Sequence, residues 1–215
     1  MTTDVLGNLK KAILEYDPDG AANWAKKALE EQIDPLEVFD VLTASIREVG
    51  DGFGKGELFL PELIAAANAM EAATPIITEE LKKRDLKREP LGTVVIGTVL
   101  GDIHTIGKAM VSRLLTAEGF TVHDLGVNID AGDFIKAVRD YKPNILAMSA
   151  LLTTTAPEQA KVINALRDAG IREKVKVMVG GGAITEEFAQ SIGADGYDPT
   201  APGAVGLAKK LIGKE

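Results

Sequence analysis

Hydrophobic positions in the first 88 residues recur at helical spacing. Apolar residues after Pro35 follow steps of three and four, which places them on one helix face: Leu36, Phe39, Leu42, Ile46, Val49 and Phe53. Asp-Pro pairs at 17–18 and 34–35 predict helix starts, because aspartate caps a helix and proline suits its first position. A glycine-rich run at 50–57 predicts the end of one helix, and the next is predicted from about Leu60. We therefore predict a four-helix bundle.

The pattern changes at Gly92 to short β-branched runs that alternate with amphipathic segments. The runs predict five strands, at 93–99, 121–125, 144–149, 175–179 and 194–197. The segments after them predict helices, at about 107–118, 131–141, 157–169, 185–191 and 201–213. This alternation predicts an α/β fold with a parallel sheet, and the flavodoxin-like order 2-1-3-4-5 is expected for five strands.

Two domains are predicted from this change of pattern. Residues 1–88 form the helical domain, and residues 89–215 form a flavodoxin- or Rossmann-like α/β domain with helices flanking its sheet. A charged segment at 82–92 lacks core periodicity and is predicted to end the last bundle helix and link the domains.

Charge and composition exclude several classes of function. Asp and Glu number 32 against 24 Lys and Arg, so the net charge of -8 argues against nucleic acid or an anionic membrane as partner. The absence of cysteine excludes disulfides, thiolate nucleophiles, iron–sulfur clusters and zinc–thiolate sites. No segment has the pattern of a signal peptide or a membrane span, so a cytoplasmic protein is predicted.

Candidate chemistry lies in the loop after the first predicted strand. In a sheet of this order, ligands bind beyond the carboxyl ends of the strands, where the strand order reverses. The loop reads G-D-I-H-T-I-G, residues 101–107. A histidine can bind a metal through one nitrogen while its other nitrogen donates to a carboxylate, and Asp102 could orient His104 in this way. Alternatively, His104 is a solvated loop residue and Asp102 caps the helix near Gly107, and these residues alone favour that interpretation.

The loops after the third and fourth strands also permit two interpretations. The hydroxyls of S-A-L-L-T-T-T, residues 149–155, could bind a polar ligand or satisfy the N–H groups of the next helix. The glycines of V-G-G-G-A, residues 179–183, could admit a ligand to the backbone or form only a tight turn. His123 lies in a predicted strand distant from these loops and is assigned no ligand role.

Together the three loops resemble the cobalamin-binding domain of methionine synthase, cobalamin-dependent mutases and corrinoid methyl-carrier proteins. The signature D-x-H-x-x-G, S-x-L and G-G stands here as Asp102–Gly107, Ser149–Leu151 and Gly181-Gly182. The segment Val49–Glu62 resembles the helical cap of methionine synthase and the methyl carriers, which the mutases lack. The chain is therefore similar to a corrinoid methyl-carrier protein with its cap.

The resemblance implies cobalamin or a related corrinoid as cofactor, as methylcobalamin or hydroxocobalamin, bound base-off/His-on. His104 would be the lower axial ligand of cobalt, and Asp102, His104 and Thr155 would form a proton relay in which Thr155 stands where the family often has serine. Proton uptake by this relay would weaken the lower ligand. The other implied cofactor contacts are Ile103, Thr105, Ile106, Gly107, Ser149, Leu151, Thr153, Gly181 and Gly182, with Phe53 and Leu60 in the cap. The last two would shelter the methyl group, or they are ordinary bundle core.

The implied function is transport of a methyl group on cobalt. A substrate-specific methyltransferase would load it from a methylamine, methanol, methoxylated aromatic or betaine. A second methyltransferase would pass it to tetrahydrofolate or coenzyme M, and a reductive activator protein would be a third partner. No catalytic residue acts without these partners. The alternative is a cobalamin-binding sensor or regulatory adaptor without methyl-transfer chemistry, although no basic DNA-binding segment is found.

Overall fold

The chain folds into two compact units, Met1–Glu89 and Pro90–Glu215, in a computed structural model that describes residues 4–84, 86 and 90–214. The predicted domain boundary at 88/89 and the centre of the predicted linker, residues 85 and 87–89, lie outside the described residues. No helix in the described ranges is long and apolar enough to cross a membrane.

In the first unit, the helices that follow Asp17 and Asp34 and the helix at Leu60 begin where the sequence predicts. Its helices are α1 (Val5–Leu14), α2 (Pro18–Glu30), α3 (Pro35–Gly54) and α4 (Leu60–Lys83). The Asp17 carboxylate accepts from the backbone N–H of Gly20 at 2.9 Å, and Asp34 accepts from Leu36 at 2.9 Å. Both aspartates therefore cap the helices that follow them, as predicted.

Small residues bring α2 and α4 together. The buried residues of α2 are all alanines, at positions 21, 25 and 28, and α2 packs mainly against α4. Alanines of α4 at positions 66, 69 and 73 are also fully buried. Because alanine carries only a methyl group, the helices can approach closely. Larger side chains fill the rest of this core: Leu9, Ile13, Leu42, Ile46, Leu63 and Ile77.

The glycine-rich run at 50–57 ends α3, as the sequence predicts, at its third glycine. The helix includes Gly50 and Gly52, which are both buried, and ends at Gly54. A Cβ on Gly52 would lie 3.0 Å from the Leu58 side chain, so glycine lets the following segment pack back onto the helix. This packing offsets the low helix propensity of glycine, about 1 kcal/mol per residue.

The second unit confirms the predicted α/β fold and strand order. Its strands are β1 (Thr93–Thr98), β2 (Thr121–Asp124), β3 (Ile145–Ser149), β4 (Lys176–Gly180) and β5 (Gly196–Tyr197). Its α-helices are α5 (Ile106–Ala117), α6 (Ala131–Tyr141), α7 (Ala156–Asp168), α8 (Glu186–Ile192) and α9 (Ala201–Leu211). All strands pair in parallel in the order β2-β1-β3-β4-β5. Each element ends within two residues of its predicted bounds.

The strand order places the loop after β1 beside the loop after β3. Helix α5 packs against α9, while α6 packs against α7. Strand β1 lies between β2 and β3. The chain passes from β1 to β2 on one side and then crosses to β3 on the other side, so the strand order reverses at β1. Beyond the strands, the backbone N–H of Val99 donates to the carbonyl of Ser149 at 3.1 Å. The loops after β1 and β3 therefore leave the same edge of the sheet in contact.

Candidate functional site

Asp102 is the centre of the hydrogen bonds at this edge. Its carboxylate is fully buried. Oδ1 accepts from the backbone N–H of His104 at 3.0 Å and lies 2.8 Å from His104 Nδ1. Oδ2 accepts from the backbone N–H of Leu151 at 2.8 Å and from the Thr155 hydroxyl at 2.7 Å. The residue that precedes α5 is Thr105, so the alternative in which Asp102 caps that helix is wrong.

These hydrogen bonds decide the charge of the carboxyl group. Burial raises the pKa of Asp102, because it disfavours the charged form. Donation from the His104 backbone, the Thr155 hydroxyl, the His104 ring and the Leu151 backbone prevails and holds the pKa well below its ordinary value. An ionised carboxylate can only accept, so the shared proton lies on Nδ1 of His104. Nε2 is then the ring nitrogen available to a metal.

His104 is held at its backbone and open at its ring. The hydroxyl of Thr98, the last residue of β1, donates to the His104 carbonyl at 3.0 Å. The His104 side chain is 49% exposed, whereas its Asp102 partner is completely buried. A ring that is anchored at one nitrogen and exposed to solvent is suited to coordinate a metal through the other nitrogen.

The Thr155 hydroxyl hydrogen-bonds to Asp102 and does not cap the helix that follows it. Thr155 precedes α7, yet it makes no side-chain cap hydrogen bond. Its hydroxyl contacts both the Asp102 carboxylate, at 2.7 Å, and the Leu152 carbonyl, at 3.0 Å. The structure therefore brings together the predicted group of Asp102, His104 and Thr155. Ser149 lies half-buried at the end of β3, and Thr153 is exposed in the loop.

We expect Thr155→Val to lower the free energy of unfolding by about 1.5–3 kcal/mol, because the buried carboxylate loses a charge-assisted hydrogen bond. Thr155→Ser keeps the hydroxyl and should lose much less. Urea denaturation of both variants measures the difference. Thr154→Val, at the exposed neighbouring position, is the matched control. Equal stability of the two valine variants would contradict a structural role for this hydroxyl.

Exposed apolar side chains lie on the loop that carries His104 and on the neighbouring loop. Large hydrophobic residues on the loops after β1 and β3 and at the start of α5 are between 42% and 74% exposed: Leu100, Ile103, Ile106, Leu151 and Leu152. A cluster of this kind on a loop edge is typical of a surface that contacts an apolar ligand or another protein. Ile103, Ile106 and Leu151 were predicted as cofactor contacts, whereas Leu100 and Leu152 were not.

The glycines after β4 have different structural requirements. Gly181 has a φ of +113°, and a Cβ there would lie 2.1 Å from the Ala150 carbonyl oxygen. A Cβ on Gly182 would lie closest to the end of the Leu151 side chain, at 2.7 Å, and no nearer than 3.8 Å to backbone. The fold itself therefore requires glycine at 181, whatever ligand lies beside it. At Gly107, in the first turn of α5, a Cβ would meet nothing within 4 Å.

The remaining predicted residues lie apart from these loops in the sequence. In the first unit, Phe53 and Leu60 are half-buried, and Phe59, which was not predicted, is 69% exposed. In the second unit, His123 stacks on Tyr141 with ring centroids 3.8 Å apart, at the edge strand β2. A structural role for His123 is consistent with this stacking.

Three polar residues near the site were also missed. Lys108, in the first turns of α5, has a buried side chain that pairs with Asp124 at the end of β2. The backbone and the side chain of Asn128, in the loop before α6, both hydrogen-bond to the His104 loop. Asp124 begins D-L-G-V, residues 124–127, a further segment that resembles the cobalamin-binding domain although its sequence assigns no role to Asp124. These residues meet their partners only after folding, so no local spacing in the sequence could predict their contacts.

The residues present fit a corrinoid. Among the described residues, no group of three or more His, Cys, Asp or Glu side chains could hold a metal ion. A metal at His104 therefore needs its other ligands from a molecule that carries them, as a corrin ring carries four nitrogens for cobalt. The apolar side chains around His104 suit a large, flat ring, and Gly181 keeps the neighbouring loop close to the backbone of Ala150.

Comparisons with known proteins agree with this chemistry. Profiles of two B12 binding domain families match residues 92–205 and residues 5–78. Trimethylamine corrinoid protein 2 of Methanosarcina mazei is 44% identical over 210 residues, which cover 97% of this chain and 96% of that protein.

Two solved structures share the fold. A chain of the methanol:cobalamin methyltransferase complex MtaBC from Methanosarcina barkeri superposes with a TM-score of 0.89 and 30% identity, covering 100% of this chain and 82% of that one. A cobalamin-binding protein from Desulfitobacterium hafniense gives a TM-score of 0.75 and 27% identity, covering 96% and 98%. The chain therefore belongs to the family of B12-binding corrinoid proteins.

Proposed function

We propose that this corrinoid protein carries a methyl group between two methyltransferases. The observation that carries the proposal is the buried Asp102 carboxylate, which holds Nδ1 of a half-exposed His104 on a loop edge that also carries exposed apolar side chains. A bound corrinoid supplies a cobalt centre that can accept a methyl group and release it. The chain supplies the groups that bind, orient and shield that cofactor.

The roles of the site residues follow from their contacts. His104 would bind cobalt through Nε2 in place of the cofactor's own base, which is the base-off/His-on state. Asp102 holds the proton on His104 Nδ1, and the Thr155 hydroxyl stabilises the charge of Asp102. The slot for the displaced tail of the cofactor would be lined by Ser149, Leu151, Thr153, Gly181 and Gly182. The corrin ring would be contacted by Ile103, Thr105, Ile106 and Gly107. The methyl group would be sheltered by Phe53 and Leu60.

Methylamines are the donor class that the relatives support best. The trimethylamine corrinoid protein of M. mazei is 44% identical and aligned over almost its whole length, whereas the methanol complex is 30% identical. We therefore propose a methylamine:corrinoid methyltransferase as the loading partner. A second methyltransferase, acting on coenzyme M or tetrahydrofolate, and a reductive activator would complete the system.

Reconstitution tests the proposal. The purified chain is loaded with hydroxocobalamin, and we expect one bound corrinoid per chain with a base-off spectrum. The reduced, loaded protein is then incubated with trimethylamine and a trimethylamine methyltransferase, and methylation is followed by the change in visible absorption. Methanol with a methanol methyltransferase is the matched control. Failure to retain corrinoid would refute the cofactor site, and methylation from methanol alone would refute the donor class.

A further inference from the structure

Asn128 holds the backbone on both sides of the Asp102 amide. Its side-chain Oδ1 accepts from the backbone N–H of Gly101 at 2.7 Å. Its own backbone N–H donates to the carbonyl of Asp102 at 2.9 Å. One residue of the loop between β2 and α6 therefore fixes two successive residues of the loop that carries His104.

The conformation of both partners makes these contacts specific. Asn128 has a φ of +59°, a left-handed conformation that asparagine tolerates better than most residues. Gly101 also has a positive φ, +78°, which turns the chain directly before Asp102. Asn128 and Gly101 lie on different loops and both have a positive φ. The side-chain oxygen of Asn128 joins them, and a glycine at position 128 would lack this acceptor.

The segment around Asn128 is itself well anchored. The backbone N–H of Thr98 donates to the Gly126 carbonyl at 3.0 Å, and the N–H of Ile129 donates back to Thr98 at 3.0 Å. Lys108 pairs with Asp124 at the start of the same segment. Asn128 thus extends from a segment fixed to β1 and α5, and it can transmit that rigidity to the His104 loop.

We propose that Asn128 is a positioning residue for the lower cobalt ligand. By fixing the backbone at Gly101 and Asp102, it holds the carboxylate where it can keep the His104 ring in one tautomer and one orientation. A coordinating ring must be placed within a few tenths of an ångström, so a supporting contact of this kind affects ligation more than overall stability. The inference rests on the proposed function, because it assumes that His104 is the ligand.

Asn128→Gly isolates the side-chain contact. Glycine accepts the positive φ and keeps the backbone N–H, so only the acceptor for Gly101 is lost. Asn128→Asp retains an acceptor oxygen and serves as the rescue variant. Lys142→Gly is the matched control for backbone effects, because Lys142 also has a positive φ, +46°, and lies at the opposite end of α6.

Two measurements test the proposal. Without cofactor, nitrogen NMR of chains labelled with ¹⁵N-histidine reports the tautomer of His104, one of only two histidines. With hydroxocobalamin bound and reduced by one electron, electron paramagnetic resonance counts the chains whose cobalt carries a histidine nitrogen, because ¹⁵N gives a two-line splitting and the tail base, with ¹⁴N, gives three lines.

We expect the two-line fraction to be high in the parent, Asn128→Asp and Lys142→Gly, and the ratio of ligated to unligated chains to fall roughly threefold or more in Asn128→Gly, as expected for one hydrogen bond. The apo spectrum of Asn128→Gly should show mixed tautomers. An unchanged tautomer and an unchanged fraction in Asn128→Gly would overturn the inference. Three lines in the parent would instead refute His104 as the ligand, so the two failures are distinguishable.

Discussion

Replacing His104 by alanine should abolish histidine ligation of cobalt while leaving the fold intact. The ring is 49% exposed and contributes little core packing, but the buried Asp102 carboxylate loses one charge-assisted hydrogen bond, so the free energy of unfolding should fall by about 1.5–3 kcal/mol, as for Thr155→Val. No other described histidine lies on these loops, since His123 stacks on Tyr141 at the edge strand. The measurement is the two-line ¹⁵N splitting of the reduced, hydroxocobalamin-loaded chain, which His104→Ala should lose completely.

His123→Gln is the control for this experiment. It removes the second histidine, so any remaining two-line signal must come from His104. We expect the loaded His123→Gln chain to keep the parent spectrum. If His104→Ala keeps a histidine-ligated spectrum, or if His123→Gln loses it, the ligand assignment is wrong, although membership of the B12-binding family would be unaffected.

Replacing Gly181 by alanine should lower the free energy of unfolding by about 3–5 kcal/mol. A backbone conformation reserved for glycine costs about 1–3 kcal/mol, and overpacking costs a similar amount. Both apply here, because φ is +113° and the new Cβ would lie 2.1 Å from the Ala150 carbonyl oxygen, a backbone atom that cannot rotate away. Urea denaturation of the chain without cofactor measures the loss.

Gly206→Ala provides the comparison for Gly181. Gly206 lies exposed in α9, and a Cβ there would meet nothing within 4 Å. Because alanine is the better helix former, this variant should be more stable than the parent by about 0.5–1 kcal/mol. If Gly181→Ala is as stable as the parent, the close approach of the two loops is not required by the fold, and the glycine serves the cofactor alone.

The candidate site could be predicted only in part from the sequence. The spacing of Asp102 and His104 by itself permits two interpretations and favours a solvated loop histidine, whereas the resemblance to a cobalamin-binding domain depends on all three loops together. Folding decides between them, because the Asp102 carboxylate turns away from α5 and meets Leu151 and Thr155 about fifty residues later. The binding roles of these residues stay predictions that the experiments above would test.

The sequence by itself determined the element order, the helix starts at Asp17 and Asp34, and the parallel sheet of order 2-1-3-4-5. These follow from local patterns, since capping, periodicity and strand–helix alternation act over a few residues. Only the tertiary structure decided that Gly52 lies against Leu58, that glycine 181 is required by Ala150, and that Asn128 holds the His104 loop. Each of these depends on contact between segments brought together by folding, and such contacts have no periodicity along the chain.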